Sequence, residues 1–538
     1  MKTRYCHRIL ELVLGVGCWV LVAACSSDKA TDEPQPLPEG MGRIRITICT
    51  PETNPDFTRA VNTETTWLEP DHDWEKLQSY RILICTPTST EGKYIIKKIV
   101  SGTTMGTAST SVTESKYRQS ADITTEIEAG TYYIFATANF ADGYTENGEF
   151  DLNATAQFPN GYSTTGTDLF GDANPIPMTG KLTTVSGGQT LREVVVTNSN
   201  TTDVTDTPLT IWRVISKLQF YFTNEATEQI NIYGIEVEPI NTNDDNSGLV
   251  YLFSKDDLTS TTNLAVGGVS LPTGVTNGKV KHPLTTPTNP LLTLANYAGS
   301  GDKPTGTLFF YVNETNGTFT TTQNEISLRF KVKRGDGTED ELRYGMTSRW
   351  GSGDDDPKGF NVIRRNDWIH IPIVITDWQY RIEPIAFVPI AGYPVATVSS
   401  DGLTATYSTG GMIALQPFIK KKGDVTWVDL GDTRIKDVTI SWVNADGDTQ
   451  SGSGKIFTTP IDYDPHTNYI IGELNNSLDI SSYTDNNLTV YTENGYKYFK
   501  TTVNIKMKLE GPEDPDAHTV LWYDYSFKCN IILKCVTT

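Results

Sequence analysis

The sequence predicts an all-β protein made of three tandem β-sandwich units. Short runs of alternating apolar and polar residues recur along the chain, and few windows show the spacing of an amphipathic helix. The chain of 538 residues has 25 Tyr and 10 Trp but only 7 Met. Aromatic side chains suit half-buried strands, and this length is enough for about three or four domains.

The first 24 residues are predicted to be a secretory signal, and residues 25–40 a polar tether. A basic start precedes the apolar run Ile9–Ala24, which is shorter than the ~20 residues that span a bilayer. The run ends in Ala23-Ala24-Cys25 after Leu21-Val22, which resembles a bacterial lipobox, where the cysteine thiol receives a lipid. An ordinary signal peptide that happens to contain a cysteine is the alternative. We therefore expect an exported protein that touches the cell outer membrane only through a lipid on Cys25.

The first sandwich unit is predicted over residues 41–203, and it begins with a strictly alternating strand. In this strand Ile44, Ile46 and Ile48 fall on one face, and Arg43, Arg45 and Thr47 on the other. A break rich in Pro and Asn follows at residues 51–60. Further strands are predicted at residues 77–85, 94–100 and 130–139, before a long polar region.

The second unit is predicted over residues 204–388 and the third over residues 389–538. Polar residues 198–206 mark the first boundary, and a cluster of Pro and Gly at residues 385–394 marks the second. Within the third unit, the Asn494-Gly495 pair between two apolar runs predicts a hairpin. The C-terminal unit is expected to be all-β and free to serve as an adhesive domain.

Charge and cysteine content exclude some classes of protein. Acidic residues number 65 against 44 basic ones, for a net charge of −21, so the chain repels phosphate and is not expected to bind nucleic acid. A disulfide scaffold is not indicated, although a bridge between Cys49 and Cys85 is possible. Cys529 and Cys535 lie about 20 Å apart along one predicted strand and cannot pair there.

Recognisable catalytic motifs are missing from the sequence, so we expect no enzyme, no cofactor and no metal site. The carboxylate runs Asp244-Asp245 and Asp354-Asp355-Asp356 lack the spacing of a calcium loop. Three tryptophans of the last unit, Trp427, Trp442 and Trp522, are candidates for stacking on sugar rings, with core packing as the alternative for each.

Several motifs, in order, resemble those of the fimbrillin-like lipoproteins, the type V pilins of Gram-negative anaerobes. The resemblance covers residues 20–380 and is absent from the final 150 or so. It rests on the lipobox, the alternating first strand with its loop, and these motifs: Gly130-Thr131-Tyr132 with Ala138-Asn139, Ile176-Pro177-Met178-Thr179-Gly180, Arg213 to Leu218, Tyr311-Val312-Asn313-Glu314, and Arg365-Asn366 before Trp368. Ser216, Asn313 and Ile369 depart from the family pattern. The resemblance implies that the first two units have the transthyretin-like fold of fimbrillins.

The resemblance also implies assembly by donor-strand exchange. By this resemblance, an arginine-specific protease would cut between Arg59 and Ala60, residues 41–59 would leave, and a strand from another pilin subunit would fill the exposed groove and sheet edge. This requires Ile44, Ile46 and Ile48 to be buried on an edge strand. A position in the middle of a sheet, with partners on both sides, would contradict the account. A permanent edge strand beside an uncut loop is the alternative, and a Cys49–Cys85 disulfide would oppose release.

The extra C-terminal unit favours a subunit at the pilus tip, which needs only an acceptor groove and is free to bind an unknown host or bacterial receptor. A pilus anchor subunit that keeps its lipid is one alternative. A glycan-binding outer-membrane lipoprotein that feeds a nutrient importer is another, and a hydrolase with β-sandwich accessory domains is a third.

Overall fold

In the computed structural model, the regular secondary structure of the described residues is almost entirely β-strand, which confirms the predicted fold class. It describes residues 37–51, 72–103, 119–161, 169–171, 173–243, 246–258, 269–283, 288–316, 326–348, 358–359, 362–384, 396–421, 425–429, 435–443, 449–450, 456–475, 489–514 and 519–535. One short 3-10 helix, Asp73–Glu75, interrupts the strands of this part of the chain. None of the described helical segments is long and apolar enough to cross a membrane.

The first unit is a sandwich of two β-layers, and β1 lies in one of them. Its strands are β1 (Met41–Cys49), β2 (Tyr80–Pro87), β3 (Lys93–Gly102), β4 (Ser120–Glu128), β5 (Gly130–Ala138), β6 (Glu149–Asp151), β7 (Thr155–Pro159), β8 (Met178–Lys181), β9 (Val194–Val196), β10 (Thr201–Asp203) and β11 (Leu209–Arg213). One layer is β4–β1–β10, and the other runs β8–β5–β2–β3–β6. Strand β11 pairs with both β1 and β8, so the first sheet continues beyond residue 203.

Alternation in the sequence explains how the layers of the first unit pack. Isoleucines from β1 and β4 meet isoleucines from β2 and β5 in one dry cluster. The opposite face of the β2–β5 layer is lined by aromatic residues, which pack against residues of the second unit such as Phe253 and Tyr311. The strand pair β7–β14 also joins the two units.

The second unit is a sandwich of a three-stranded layer, β17–β12–β23, on the layer β15–β13–β19–β20, with one large apolar cluster between them. Its strands are β12 (Ile215–Asn224), β13 (Ile230–Asn241), β14 (Ser247–Tyr251), β15 (Asn277–His282), β16 (Leu292–Leu294), β17 (Thr305–Asn313), β18 (Thr315–Asn316), β19 (Ser327–Arg334), β20 (Glu339–Ser348), β21 (Lys358–Gly359), β22 (Val362–Ile363) and β23 (Trp368–Ile375).

The third unit is also a sandwich, of the layer β35–β34–β29–β30 on the layer β24–β27–β32–β31. Its strands are β24 (Trp378–Pro384), β25 (Ala396–Val398), β26 (Thr404–Tyr407), β27 (Gly411–Lys421), β28 (Val428–Asp429), β29 (Ile435–Val443), β30 (Thr449–Gln450), β31 (Phe457–Asp464), β32 (Tyr469–Leu474), β33 (Val490–Glu493), β34 (Tyr496–Asp514) and β35 (Thr519–Cys535). The predicted hairpin at Asn494-Gly495 is confirmed, because β33 and β34 pair around it with both turn residues at positive φ.

The second and third units share one sheet. Strand β35 pairs with β20 of the second unit through Tyr344↔Tyr523 to Ser348↔Thr519. Leu521 and Tyr523 of β35 therefore belong to the core of the second unit. The last unit is thus built onto the second one rather than joined to it by a linker alone.

Candidate functional site

The candidate site is β1 together with the strands that hold it. Along its whole length β1 forms an antiparallel ladder with β4, from Met41↔Glu128 to Cys49↔Ser120. On its other side it pairs in parallel with β10, at Arg43↔Thr201 to Arg45↔Asp203, and then with β11 at Ile48↔Leu209. The prediction that β1 is an edge strand is therefore wrong. Sequence alternation fixes which face a strand buries, but it does not show how many neighbours the strand has.

The buried face of β1 is as predicted. Ile44, Ile46 and Ile48 are each 0% exposed and lie in the first unit's core. Full burial of one such side chain is worth roughly 1.5–3 kcal/mol. These three residues alone therefore contribute several kcal/mol to holding β1 in place.

The outward face of β1 is bound to both neighbouring strands by charged groups, a feature that the sequence analysis did not identify. Arg43 Nη2 lies 2.9 Å from Glu126 Oε1 of β4. Arg45 lies between Asp122 of β4, at 3.4 Å, and Asp203 of β10, at 3.7 Å. These side chains are partly exposed, so each pair adds at most about 1 kcal/mol. Their main effect is to select the register of the strand.

A close backbone approach at Gly42 was also missed. A Cβ atom added there would lie 2.4 Å from Val196 Cγ1 and 2.5 Å from the carbonyl oxygen of Thr197. The backbone of Met41 accepts a 2.8 Å hydrogen bond from Ser199 N, and Arg43 N donates one of 2.8 Å to Asn200. Residues 196–200 therefore lie directly against the start of β1, and a side chain at position 42 would require one of the two segments to shift.

The chain connects β1 to the strands that follow it through residues 50–72. The strands that pair with it, β4, β10 and β11, all lie far along the chain, and the next described element is the 3-10 helix Asp73–Glu75. The predicted cleavage site, Arg59 and Ala60, lies outside the described residues, as does the predicted lipid-bearing Cys25. A cut in the intervening segment would leave β1 held by non-covalent contacts alone.

The chain that follows this intervening segment, beginning at the 3-10 helix Asp73–Glu75, is anchored by a buried polar cluster at the junction of the first two units. Glu75 accepts a 2.6 Å hydrogen bond from the Tyr311 hydroxyl and lies 2.8 Å from Lys217 Nζ. Trp74 Nε1 donates to the same hydroxyl at 3.1 Å, and Arg213 donates to the Glu75 carbonyl. Burial by itself would raise the pKa of Glu75, but the ammonium of Lys217 and the guanidinium of Arg213 outweigh it and lower that pKa.

The cysteines of the first unit do not form the disulfide that was considered possible. Cys49 and Cys85 are both buried thiols with no disulfide between them. Cys49 Sγ lies 3.7 Å from Thr210 Oγ1, whereas Cys85 is part of the aromatic cluster on the other side of the sheet. Burial raises the pKa of the Cys85 thiol well above its usual value.

The three candidate tryptophans are not assembled into one surface. Trp442 and Trp522, on the shared sheet, are 1% and 2% exposed, so neither ring face is open to a sugar. Trp442 packs edge-on against Phe457 inside the third unit's core. Trp427 lies beside β28 in the opposite layer, where Lys420 Nζ is 4.7 Å from its ring centroid. The carboxylate runs Asp244-Asp245 and Asp354–Asp356 lie outside the described residues.

The last described strand, β35, has partners on both sides. It pairs with β34 from Lys497↔Cys535 to Asp514↔Thr519, and on its other edge with β20 and then in parallel with β26. The second edge of β35 is thus paired at its two ends, at residues 519–523 and 530–533.

Comparison with known proteins finds similarity in solved structures. No family model matches the chain, and no curated protein does. The tip fimbrial protein Mfa3 of Porphyromonas gingivalis is 12% identical over 65% of this chain and 96% of its own, with a TM-score of 0.29. A fimbrilin of the same organism is 14% identical over 64% and 90%, with a TM-score of 0.31. A putative cell adhesion protein of Bacteroides fragilis is 12% identical over 64% and 95%, with a TM-score of 0.27. The similarity is thus to fimbrial and cell-adhesion proteins.

Proposed function

We propose that this chain is a structural and adhesive subunit of a cell-surface fimbrium, and that β1 occupies the place of a strand from a neighbouring subunit. One observation carries the proposal. Every described ladder partner of β1 is distant in sequence, so a single cut between residues 51 and 72 would leave the strand bound to these partners by non-covalent contacts. The fimbrillin-like motifs over residues 20–380 support the same function.

The central position of β1 changes the form of the mechanism. Because β1 has partners on both sides, addition of a donor strand to an open sheet edge is contradicted, and we do not propose it. We propose replacement instead: β1 leaves, and a donor strand enters between β4 and the pair β10–β11. Leaving breaks two ladders and exposes the sites of Ile44, Ile46 and Ile48, so an uncut subunit stays closed. A donor recovers both ladders, which makes the exchange close to balanced.

Cleavage after Arg59 by an arginine-specific protease is the proposed trigger. It would leave the Trp74–Glu75 anchor, and with it the new N-terminus at Ala60, attached to the remaining fold. Export as a lipoprotein through Cys25 would place the uncut protein at the outer membrane before assembly.

A position at the tip is supported by β35. Because β35 pairs with β34 on one edge, and with β20 at residues 519–523 and β26 at residues 530–533 on the other, we do not expect it to serve as a donor, whereas the β1 position provides an acceptor. A subunit that accepts at β1 and uses its last described strand within its own fold would end a filament. The alternative roles, a pilus anchor or a lipid-anchored glycan-binding protein, would both retain residues 25–59.

Sequencing the N-terminus of the surface protein separates these functions. We expect Ala60 in filament fractions of the wild type, and its loss in Arg59→Lys, while the matched change Arg343→Lys at an exposed arginine leaves processing unchanged. A surface protein that begins only at lipidated Cys25 would overturn the tip function and favour the anchor or the glycan-binding lipoprotein.

A further inference from the structure

A cleft opens where the second and third units part. Strands β20 and β35 are paired only as far as Tyr344↔Tyr523 and then separate. The space between them is an open cavity of about 660 Å³, and its third wall is formed by the end of β23 and the turn at Thr376 and Asp377. This volume lies within the range of about 300–1,000 Å³ that small-ligand sites occupy.

The floor of this cleft is aromatic and rigid. The rings of Tyr344 and Tyr523 meet edge to face, with centroids 4.8 Å apart, and both are buried. The Tyr523 hydroxyl accepts a 3.1 Å hydrogen bond from Val374 N, which ties β35 to β23. Tyr525 is half-buried and packs against the cores of both units. The tyrosines are therefore held in place before any ligand arrives.

The rim of the cleft is charged and polar. Arg334 lies 2.9 Å from Asp340 and 3.7 Å from Asp377, and Arg343 lies 2.5 Å from Glu341. Asp524 and Ser526 of β35 are exposed on the same rim. Four carboxylates face two guanidinium groups, for a formal charge of −2.

We propose that this cleft binds a neutral oligosaccharide. The half-buried ring of Tyr525 beside carboxylates and guanidinium groups matches the two kinds of surface on a sugar, because C–H groups pack on the ring while hydroxyls donate to carboxylates and accept from arginine. The charged rim disfavours an apolar ligand, since removing charged groups from water is costly. The excess of carboxylates repels sialylated, sulfated and phosphorylated ligands. The inference deepens the adhesive part of the proposed function, since it assigns the contact with a receptor to this junction.

Binding of the full chain to an array of tri- to hexasaccharides tests the proposal. The probes are unsialylated glycans that end in galactose, mannose, fucose or N-acetylglucosamine, each beside its sialylated or sulfated counterpart. We expect binding to neutral members only. Binding to no glycan, to acidic members equally well, or to peptides in place of glycans would overturn the assignment.

Substitutions locate the binding on the cleft. Asp524→Ala is expected to weaken binding of the best array ligand at least tenfold, because a charged acceptor of hydroxyl groups is lost. The matched control is Asp462→Ala, which removes an exposed carboxylate from the opposite layer of the third unit and should leave affinity unchanged. Unchanged binding by Asp524→Ala together with Tyr525→Ala, in protein that remains folded, would overturn the site.

A second comparison isolates the ring. Tyr525→Phe keeps the aromatic face and should bind within about threefold of wild type, whereas Tyr525→Ala should lose binding. Equal loss in both variants would contradict stacking on this ring. The test is separate from that of filament assembly: a chain that enters filaments but binds no glycan overturns only this inference, and a chain that binds glycan but never enters filaments overturns only the fimbrial function.

Discussion

Lys217 of the second unit holds Glu75 of the first, with 2.8 Å between ammonium and carboxylate and both side chains buried. Glu75 lies in the first described element after β1, so this pair fixes the chain downstream of the segment that contains Arg59. The fold therefore separates a part that a cut would free, β1, from a part that stays anchored. This arrangement determines how each region should respond to substitution.

Removing the Tyr311 hydroxyl tests the anchor. Tyr311→Phe takes away the group that donates to Glu75 and accepts from Trp74, and a buried carboxylate that loses such a partner costs about 1–3 kcal/mol. We expect a lower midpoint in denaturant unfolding of the first two units. Tyr133→Phe, whose hydroxyl bonds the exposed Glu193, is the control and should change stability little. Equal effects of the two substitutions would contradict the role of this cluster.

Gly42→Ala should destabilise the first unit, because its new Cβ would lie 2.5 Å from the carbonyl oxygen of Thr197. Overpacking of this kind costs about 1–3 kcal/mol. Gly335→Ala, where the nearest atom is 3.5 Å away, provides the comparison and should be nearly neutral. Hydrogen exchange of β1 and β4 measures the effect locally, and unchanged protection in Gly42→Ala would show that the strand start is looser than described.

Ile46→Ala creates a cavity in the core beneath β1. Such truncations cost about 2–5 kcal/mol, so the uncut variant should lose β1 protection against hydrogen exchange. Arg45→Ala, on the exposed face of the same strand, should cost less than Ile46→Ala, because its two ion pairs are partly exposed and each adds at most about 1 kcal/mol. If β1 must leave for assembly, Ile46→Ala should also release its cleaved strand faster than wild type. Slower or unchanged release would speak against non-covalent retention by the isoleucine face.

Stability should fall as the pH drops below about 6.5 because of His370. Burial and the neighbouring Lys217 lower the pKa of this imidazole to about 2, against about 6.5 in the unfolded chain. Between these two pH values His370 is protonated in the unfolded chain but neutral in the native one. The free energy of unfolding therefore decreases progressively as the pH falls below 6.5. The loss reaches about 2 kcal/mol at pH 5. Between pH 7 and pH 5 the melting temperature of His370→Gln should fall less than that of the wild type. An equal fall in both proteins would contradict the role of His370.

Much of the fold could be predicted because apolar and polar residues alternate along the strands. The period of two in Ile44, Ile46 and Ile48 identified the buried face, and the Asn494-Gly495 turn fixed a hairpin, since both depend on local sequence alone. Sheet neighbours depend on pairings across hundreds of residues. For that reason β1 was expected at an edge, and neither β11 in the first sheet nor the shared sheet through β35 was foreseen.

In the candidate sites too, features that depend on local sequence could be predicted, whereas features that depend on distant residues could not. Sequence position could not separate buried Trp442 and Trp522 from exposed stacking surfaces, because aromatic residues occur in both places. The aromatic cleft was not foreseen because its tyrosines, Tyr344 and Tyr523, come from strands far apart in sequence. The outward arginines of β1 carried a usable signal, since two charges on alternate positions of a buried strand call for acidic neighbours.

A reversible lock on β1 tests the central claim most directly. Thr47 and Asp122 are directly opposite in the β1–β4 ladder, and their side chains are hydrogen-bonded at 2.6 Å, so Thr47→Cys with Asp122→Cys can form a disulfide across the two strands. The measurement is the amount of cleaved protein that enters filaments, with and without reductant, beside Thr47→Cys alone. The account predicts exclusion of the oxidised double variant and recovery to the level of the single variant on reduction. Entry of the oxidised, locked protein at the wild-type level would contradict it.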